Sequence, residues 1–336
     1  MILVTGGTGL VGAHLLYALI NSGEKVRAIH RKSSDLNAVK DVFSFYTNEY
    51  EILFSKIEWM EADITDVPSL ITAFKDIVSV YHCAAYISFN PRHFNTLKKV
   101  NVEGTANIVN FCLSQGVKKL CYVSSIATLG KNLNGSLTTE ETEYNPEDNN
   151  SVYTITKHDA EMEVWRGTQE GLDAVIVHPG VIVGDGIWSS ASGGILRTVF
   201  KGIKHYTSGG IGIVDVQDVV KTMILLLNSE IKNNNYLLVS ANISYQDFLS
   251  KLAIHLHKKP PYKLIAKWKM VLFSNLDWLS NKVFRTKRRL LKATVTPLYK
   301  ESFYDASKIK KELNFEFKNY EKTLERVSKN YLRDFS

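Results

Sequence analysis

A tyrosine and a lysine four residues apart are the side chains of this sequence best suited to proton transfer. Tyr153 and Lys157 stand in the run YTITK. On a helix, side chains at positions i and i+4 share one face, with their Cβ atoms about 5 to 6 Å apart. A phenol with a pKa of about 10 exchanges protons poorly at neutral pH, and a neighbouring ammonium lowers that pKa. The spacing therefore predicts a tyrosine that exchanges a proton and a lysine that tunes it.

Three hydroxyl groups follow one another where a predicted strand, Lys119 to Ser124, reaches its carboxyl end. They belong to Ser124, Ser125 and Thr128. Ligands of open α/β sheets bind outside the carboxyl ends of the strands. A hydroxyl there can hydrogen-bond a substrate carbonyl oxygen and stabilise the charge that develops on it. The residues alone leave the three hydroxyls as competing candidates.

A glycine-rich turn separates the first predicted strand from the first predicted helix. Its GxxGxxG spacing lies between two strands and a helix that together span about 30 residues, which is the frame of a dinucleotide site. Glycine lets the backbone approach a ligand closely, and the helix N-terminus offers free N–H groups to a pyrophosphate. We therefore predict that a dinucleotide binds here. The residues concerned are Gly6, Thr8, Gly9, Leu10, Val11 and Gly12.

The end of the second predicted strand indicates which dinucleotide binds. An NAD-preferring protein usually carries an acid there for the ribose 2′-hydroxyl, whereas this chain reads HRKSS from His30. Arg31 and Lys32 offer cations and hydrogen-bond donors that suit a 2′-phosphate. The sequence thus favours NADP(H), with NAD(H) as the alternative, and an ordinary solvated basic loop is the interpretation without function.

The elements that must position these residues form a regular alternation. Short β-branched or aromatic runs alternate with helical patterns, which predicts an α/β fold with a doubly wound parallel sheet. After a further strand, Tyr236 to Val239, the pattern is mainly helical and predicts a smaller C-terminal substrate lobe. We place the dinucleotide-binding domain at residues 1–180, completed by about 213–240, and the lobe at 181–212 and 241–336. The other predicted strands are Ile2 to Thr5, Lys25 to His30, Ile57 to Glu61, Ser79 to Cys83, Lys119 to Ser124 and Asp173 to Val177.

These motifs together resemble the extended branch of the short-chain dehydrogenase/reductase superfamily, the NAD-dependent epimerase/dehydratase proteins. The glycine turn TGGTGLVG, the sequence HCAA from His82, the helix start NVEGT and the YxxxK pair occur in that family's order. The resemblance implies that Lys157 also holds the nicotinamide ribose, that Tyr153 exchanges a proton with the substrate oxygen, and that Ser125 is the third catalytic residue. It further implies cofactor contacts at Asp63, Ile64, Ala84, Ala85, Pro179 and Val181.

Departures from the family pattern narrow the expected reaction. Sugar-nucleotide epimerases of this branch usually carry Asn where this chain has Val181, and the dehydratases carry a Thr-Asp-Glu run where it has Ser125, Ile126 and Ala127. What remains resembles the dihydroflavonol reductase-like and 3β-hydroxysteroid dehydrogenase-like oxidoreductases, which act on largely apolar substrates. The alternatives are a sugar-nucleotide epimerase with tightly held NAD and a non-catalytic NADP(H)-sensing protein. The family also implies a structural role for Asp215 and Asp218.

Composition and charge limit the partners and the cellular compartment that we expect for this protein. The chain has 336 residues, 45% of them hydrophobic, and a net charge of +7. The excess is local, because residues 258–292 hold eleven Lys or Arg and the single acid Asp277. Without a nucleic-acid motif we expect no nucleic-acid partner. We expect Trp268, Phe273, Trp278 and Phe284 to face inward, with contact between residues 258–292 and an anionic membrane surface or an acidic substrate as the alternative. Three cysteines without CxxC spacing and no recognisable secretion signal indicate a cytoplasmic protein without a metal site, and a homodimer is compatible with the family.

Overall fold

The computed structural model describes residues 1–130, 137–189, 191–284 and 291–335. Its strands are β1 (Ile2–Thr5), β2 (Val26–His30), β3 (Glu58–Glu61), β4 (Ser79–His82), β5 (Lys119–Val123), β6 (Ala174–Pro179), β7 (Val181–Val183), β8 (His205–Tyr206), β9 (Gly210–Asp215), β10 (Asn234–Leu238), β11 (Ala241–Ser244) and β12 (Lys263–Leu264). Its α-helices are α1 (Leu10–Asn21), α2 (Asn37–Ser44), α3 (Tyr50–Ser55), α4 (Val67–Ala73), α5 (Phe94–Leu97), α6 (Gly104–Ser114), α7 (Val152–Gln169), α8 (Ala191–Phe200), α9 (Val216–Leu227), α10 (Tyr245–His255), α11 (Lys267–Phe284), α12 (Lys292–Val295), α13 (Ser307–Glu312) and α14 (Tyr320–Phe335).

Seven parallel strands form the central sheet, in the order β10-β6-β5-β4-β1-β2-β3. The chain winds in one direction from β1 through β2 to β3 and in the other from β4 to β6, so the order reverses between β1 and β4. The paired residues Thr5 and His82 mark the carboxyl ends of these two strands. Open sheets of this kind bind ligands at such a reversal. The predicted doubly wound α/β fold is confirmed.

Both faces of this sheet are covered by apolar helices. On one face Leu16 of α1 and Met223 of α9 are fully buried against the strands. On the other face Ile108 of α6 and Val164 of α7 are fully buried. Strands covered on both faces read as continuous apolar runs, which is why β6 is buried along its whole length.

Beyond β6 the chain builds a smaller part around the three-stranded sheet β11-β9-β7. Two buried acids join it to neighbouring helices. Asp215 accepts hydrogen bonds from the Gln217 amide through Oδ1 at 2.8 Å and from Thr323 Oγ1 through Oδ2 at 2.7 Å. Asp218 accepts from the Lys318 amide at 2.8 Å. These bonds hold α9 and the approach to α14, so both carboxylates make structural contacts.

The aromatic side chains of the basic segment, residues 258–292, do not lie where the sequence predicts. Trp268, Phe273 and Trp278 are 64%, 51% and 45% exposed, so the prediction that they face inward is wrong, while the side chain of Phe284 lies outside the described residues. Helix α11 instead turns Ser274 inward, at 1% exposure. The physical reason is that apolar residues occupy most of the circumference of α11, so its pattern does not say which side meets the protein. Within the described ranges, no helix has the length and hydropathy needed to cross a bilayer.

Candidate active site

The glycine turn closes tightly against the end of β4. Gly6 has φ +69°, and a Cβ there would lie 2.6 Å from the Ala84 amide nitrogen. A Cβ on Gly12 would lie 2.2 Å from the Gly6 carbonyl oxygen. Only glycine fits these two positions, because any side chain would push the turn off the neighbouring strand. The sequence therefore forces the start of α1 down onto the sheet edge.

The N-terminus of α1 remains open to a ligand. Gly9 is its N-cap residue and provides no side-chain cap, so first-turn amides are left for another acceptor. Thr8, Leu10 and Val11 are partly exposed around it. An uncapped N-terminus of a twelve-residue helix, lined by glycine backbone, attracts phosphate through its N–H groups and its dipole. The residues present thus fit the pyrophosphate of a dinucleotide.

Arg31 and Lys32 lie directly beyond β2 and are exposed. The Arg31 backbone forms a turn with Ser34, whose amide donates to the Arg31 carbonyl at 2.9 Å and whose Oγ accepts from the Arg31 amide at 3.1 Å. Among the described residues, no ion pair engages the Arg31 guanidinium. By contrast Arg27, within β2, is buried and paired with Glu58. The two cations at the strand end are therefore the ones free to meet a phosphate.

Asp63 and Ile64 follow β3. Asp63 Oδ1 accepts from the Thr65 amide and from Thr65 Oγ1, both at 2.8 Å. Ile64 is buried, and its side chain fills the space a Cβ on Gly104 would need, at 2.6 Å. The side chains thus shape the turn and pack it on α6. Their contact with a cofactor stays a prediction.

His82 ties the end of β4 to its neighbours, where Ala84 lies partly exposed and Ala85 exposed. Its Nδ1 lies 2.6 Å from Thr5 Oγ1, and its Nε2 lies 3.0 Å from Thr105 Oγ1. Thr5 Oγ1 also accepts from the Ala84 amide at 3.2 Å. Burial lowers the pKa of His82 to about 3. The imidazole is therefore neutral and acts as a fixed link beneath the glycine turn.

Tyr153 and Ser125 come together at the carboxyl edge of β5. Ser125 lies beside Tyr153, and its Oγ accepts from the Ala127 amide at 3.1 Å. Burial raises the pKa of Tyr153, and the neighbouring Ser125 side chain acts in the opposite direction. The expected lowering of this pKa by Lys157 stays a prediction, since Lys157 Nζ donates to Tyr122 and Val123 in this structure. A phenol with a raised pKa is protonated at neutral pH, as a proton donor must be, and it is a weaker acid than an exposed tyrosine.

Lys157 follows one turn later on α7 and is 2% exposed. Its Nζ donates to Tyr122 Oη at 2.6 Å and to the Val123 carbonyl at 2.9 Å. Burial lowers the pKa of Lys157 to about 7, while the nearby Glu161 and Cys83 act to raise it. A buried lysine poised near neutrality responds to any negative charge placed beside it.

Glu161 is the residue at this site that the sequence analysis missed. It lies four residues after Lys157 on α7 and is 5% exposed. Its Oε2 accepts from Ser124 Oγ at 2.6 Å and from Thr128 Oγ1 at 2.8 Å. His178, whose Nε2 lies 3.6 Å from Oε1, lowers the pKa of Glu161 against the effect of burial, and these hydrogen bonds lower it further. The sequence does carry a signal for Glu161, because positions 153, 157 and 161 lie on one face of the predicted helix.

The Glu161 contacts separate the three competing hydroxyls. Ser124 and Thr128 are both buried and bonded to the carboxylate. Ser125 is partly exposed and adjoins Tyr153. The geometry therefore favours Ser125 as the hydroxyl that faces a substrate.

The end of β6 lies next to the end of β5 at the carboxyl edge of the sheet. Pro179 is buried, and Val181 is partly exposed at the start of β7. Gly180 joins them, and a Cβ on it would lie 2.5 Å from the Gly212 carbonyl. The predicted cofactor contacts at Pro179 and Val181 remain predictions. Among the described residues, no group of three or more His, Cys, Asp or Glu side chains could hold a metal ion.

Comparisons with known proteins agree with the fold. The chain matches the NAD dependent epimerase/dehydratase family over residues 2–238. A Synechocystis protein named "Putative dihydroflavonol 4-reductase" is 28% identical over 319 residues, covering 92% of this chain and 88% of the relative. The UDP-glucose 4-epimerase of Vibrio cholerae is 26% identical over 297 residues, covering 84% of each chain. The crystal structure of gox2253 has a TM-score of 0.83 and 27% identity, covering 100% of this chain and 98% of that one.

Proposed function

Because the chain belongs to the NAD dependent epimerase/dehydratase family, whose members are NAD(P)-dependent enzymes, we propose that it is an NADP(H)-dependent oxidoreductase. It interconverts a ketone or aldehyde and an alcohol on a largely apolar small molecule. The observation that carries this proposal is that Ser125 and Tyr153, both partly exposed, lie side by side at the carboxyl edge of the sheet.

The reaction divides between the cofactor and the chain. Bound NADPH supplies the hydride that attacks the carbonyl carbon. The Ser125 hydroxyl donates a hydrogen bond to the carbonyl oxygen, and Tyr153 transfers its phenolic proton to that oxygen as the C–H bond forms. The products are an alcohol and a tyrosinate, which regains its proton from water. Lys157 stabilises the transient tyrosinate through its charge and binds the nicotinamide ribose.

Side chains near Tyr153 support an apolar substrate. The Phe89 ring meets the Tyr153 ring edge-on, with centroids 5.4 Å apart, and Phe89 is 39% exposed. Ile87, two residues earlier, is 53% exposed. Large apolar side chains held open beside a polar pair are typical of a small-molecule site with a few polar anchors. They fit a hydrocarbon or aromatic body next to the reacting carbonyl.

The second candidate function is that of an epimerase, because one relative is named as a UDP-glucose 4-epimerase. That reaction also needs a tyrosine and a lysine beside nicotinamide, but it retains NAD and gives no net oxidation. Val181 supports the oxidoreductase, since the epimerases usually carry Asn there. Tightly bound NAD in the purified protein, together with no oxidation of added NADPH by any carbonyl, would favour the epimerase.

The first prediction tests the proton donor. We expect Tyr153→Phe to lower turnover by roughly 10²- to 10⁴-fold, because the general acid is lost while the ring remains. The measurement is NADPH oxidation, followed by absorbance, against a panel of apolar ketones and aldehydes. Cofactor affinity, measured by fluorescence titration, should stay nearly unchanged.

The matched control is Tyr262→Phe. Tyr262 is 73% exposed, so loss of its hydroxyl should leave turnover unaltered. Equal activity of Tyr153→Phe and the parent protein would remove Tyr153 from the mechanism. Binding of NADPH without turnover on any carbonyl would point to the cofactor-sensing alternative.

The second prediction tests the cofactor. We expect Arg31→Ala with Lys32→Ala to weaken NADPH binding by roughly 10- to 100-fold and to change NADH binding little, because the two exposed side chains together should contribute about as much as one charge-assisted hydrogen bond, about 1.5 to 3 kcal/mol. Fluorescence titrations with both dinucleotides measure the ratio. Lys56→Ala with Lys75→Ala is the control, since both lysines are exposed and lie away from the end of β2. Equal losses for the two cofactors would contradict the proposed preference.

A further inference from the structure

Helix α11 presents an apolar stripe to the outside of the protein. The stripe consists of Trp268, Leu272, Leu276 and Leu279, which are 64%, 48%, 53% and 50% exposed. Their spacing of four, four and three residues places all four on one face of a helix. The buried side of α11 carries Ser274 at 1% exposure. This is the reverse of an ordinary surface helix, which buries its apolar face and exposes its polar one.

The surroundings of the stripe are strongly basic. Residues 258–292 contain eleven Lys or Arg against one acid. Every lysine of this segment whose side chain the structure describes is exposed. Two of them lie over tryptophan rings, Lys269 over Trp268 at 5.3 Å and Lys282 over Trp278 at 5.2 Å. The apolar stripe is thus bordered by cations near both ends of the helix.

We propose that the α11 stripe docks on the surface of an anionic lipid bilayer. A helix with a wide apolar face, tryptophan at the water boundary and flanking lysines lies in the membrane interface with its apolar side among the acyl chains. The lysines meet the negative headgroups, each contributing roughly a five-fold gain in binding. Eighteen residues give a helix about 27 Å long, which lies along the surface and leaves the sheet in water. This inference does not depend on the proposed reaction.

A second copy of the chain fits the surface less well. A two-fold interface would pair the stripe with itself and bring two basic segments together. Like charges at such an interface oppose association. Anionic lipid complements both the apolar face and the charge, so it is the occupant to which the geometry points.

The experiment is vesicle sedimentation of the full chain. Vesicles of phosphatidylglycerol and phosphatidylcholine in equal parts should pellet the protein at low salt, and vesicles of phosphatidylcholine alone should pellet far less. Salt at about 1 M, where the Debye length is roughly 3 Å, should release most of the protein. The variant Leu272→Gln with Leu276→Gln should bind at least about ten-fold more weakly.

Two further variants separate the apolar and the charged contributions. Lys267→Gln with Lys269→Gln and Lys282→Gln should lower binding by roughly two orders of magnitude and reduce its dependence on salt. The matched control, Ile71→Gln with Leu225→Gln, replaces apolar residues that are 65% and 39% exposed on α4 and α9. It should bind vesicles like the parent protein. Thermal unfolding checks that each variant is folded.

Absence of binding to the anionic vesicles at low salt would overturn the proposal. So would equal binding by the parent protein and the leucine variant. If the parent protein sediments as a dimer in the ultracentrifuge, ignores vesicles, and becomes monomeric in the leucine variant, then the stripe belongs to a second copy instead.

Discussion

The carboxyl edge of the sheet and helix α11 place polar and apolar groups in opposite ways. At the edge, Lys157 and Glu161 are almost fully buried, yet each holds hydrogen-bond partners within 3.0 Å. On α11, Leu272 and Leu276 are about half exposed while Ser274 is buried. The carboxyl edge of the sheet therefore shields ionisable side chains from water, whereas helix α11 exposes apolar side chains to water.

The two regions need different explanations. A buried charge is tolerated only when partners replace its water, and the edge provides them from β5, α7 and β6. In the described part of the chain, the buried side-chain polar atoms without a partner belong to Trp59, Thr222 and Ser328, outside this network. The leucines of α11 that stay about half exposed bury only part of their apolar surface on folding. Docking on a lipid surface, as proposed above, would bury the rest.

The largest effect expected from the buried edge concerns Lys157. Its pKa falls from the ordinary lysine value of 10.5 to about 7 in the folded chain, so between these values the unfolded chain binds a proton that the folded chain does not. Stability must then rise with pH across this window, by up to about 1.4 kcal/mol per pH unit. In Lys157→Met this contribution disappears. We expect the parent protein to gain stability relative to the variant as pH rises from about 7 towards 10.

Urea unfolding without added cofactor, at several pH values, measures this difference. Subtracting the variant from the parent protein removes the contributions of other groups, such as the buried tyrosines whose pKa values are raised. Parallel profiles for the two proteins would mean that Lys157 is not desolvated at the edge. The contrast with α11 would then be lost.

Much of the edge could be predicted from sequence because its constraints are local. The glycine turn, the strand alternation and the Tyr153–Lys157 spacing each follow from backbone geometry within one element. Parallel strands then bring their carboxyl ends to one place, which puts Ser125 near Tyr153 without knowledge of the tertiary structure. Strand ends shifted by only one or two residues, such as β6 ending at Pro179 rather than Val177.

The rest depended on contacts between distant residues. Glu161 engages Ser124 and Thr128 among the three candidate hydroxyls, and its bond to Thr128 spans 33 residues. The Lys157 side chain turns towards Tyr122, which is 35 residues away in the sequence. No residue spacing within α7 predicts this contact. The orientation of α11 was missed for another reason: hydrophobic periodicity identifies an apolar face, but it does not identify what covers that face.

A smaller effect on stability is expected from Glu161 at the carboxyl edge of the sheet. It can be compared directly with a matched substitution on helix α11. In Glu161→Gln the carboxylate that accepts from Ser124, Thr128 and Trp165 becomes an amide. An amide cannot accept all three donors, so we expect a loss of roughly 1 to 3 kcal/mol in the free energy of unfolding at neutral pH. Because the pKa of Glu161 is lowered in the folded chain, this advantage of the parent protein is present above the unfolded pKa and fades as pH falls through the folded one.

The matched substitution on the other region is Leu276→Gln, which places the same amide on the exposed face of α11. A surface change of this kind should alter the free energy of unfolding by no more than about 0.5 kcal/mol. Urea unfolding of both variants gives the two numbers side by side. If Leu276→Gln cost as much as Glu161→Gln, then the leucine would be part of the core, and the apolar stripe of α11 could not be a docking surface. If Glu161→Gln cost nothing, the buried carboxylate would not be what fixes Ser124 and Thr128 beneath the site.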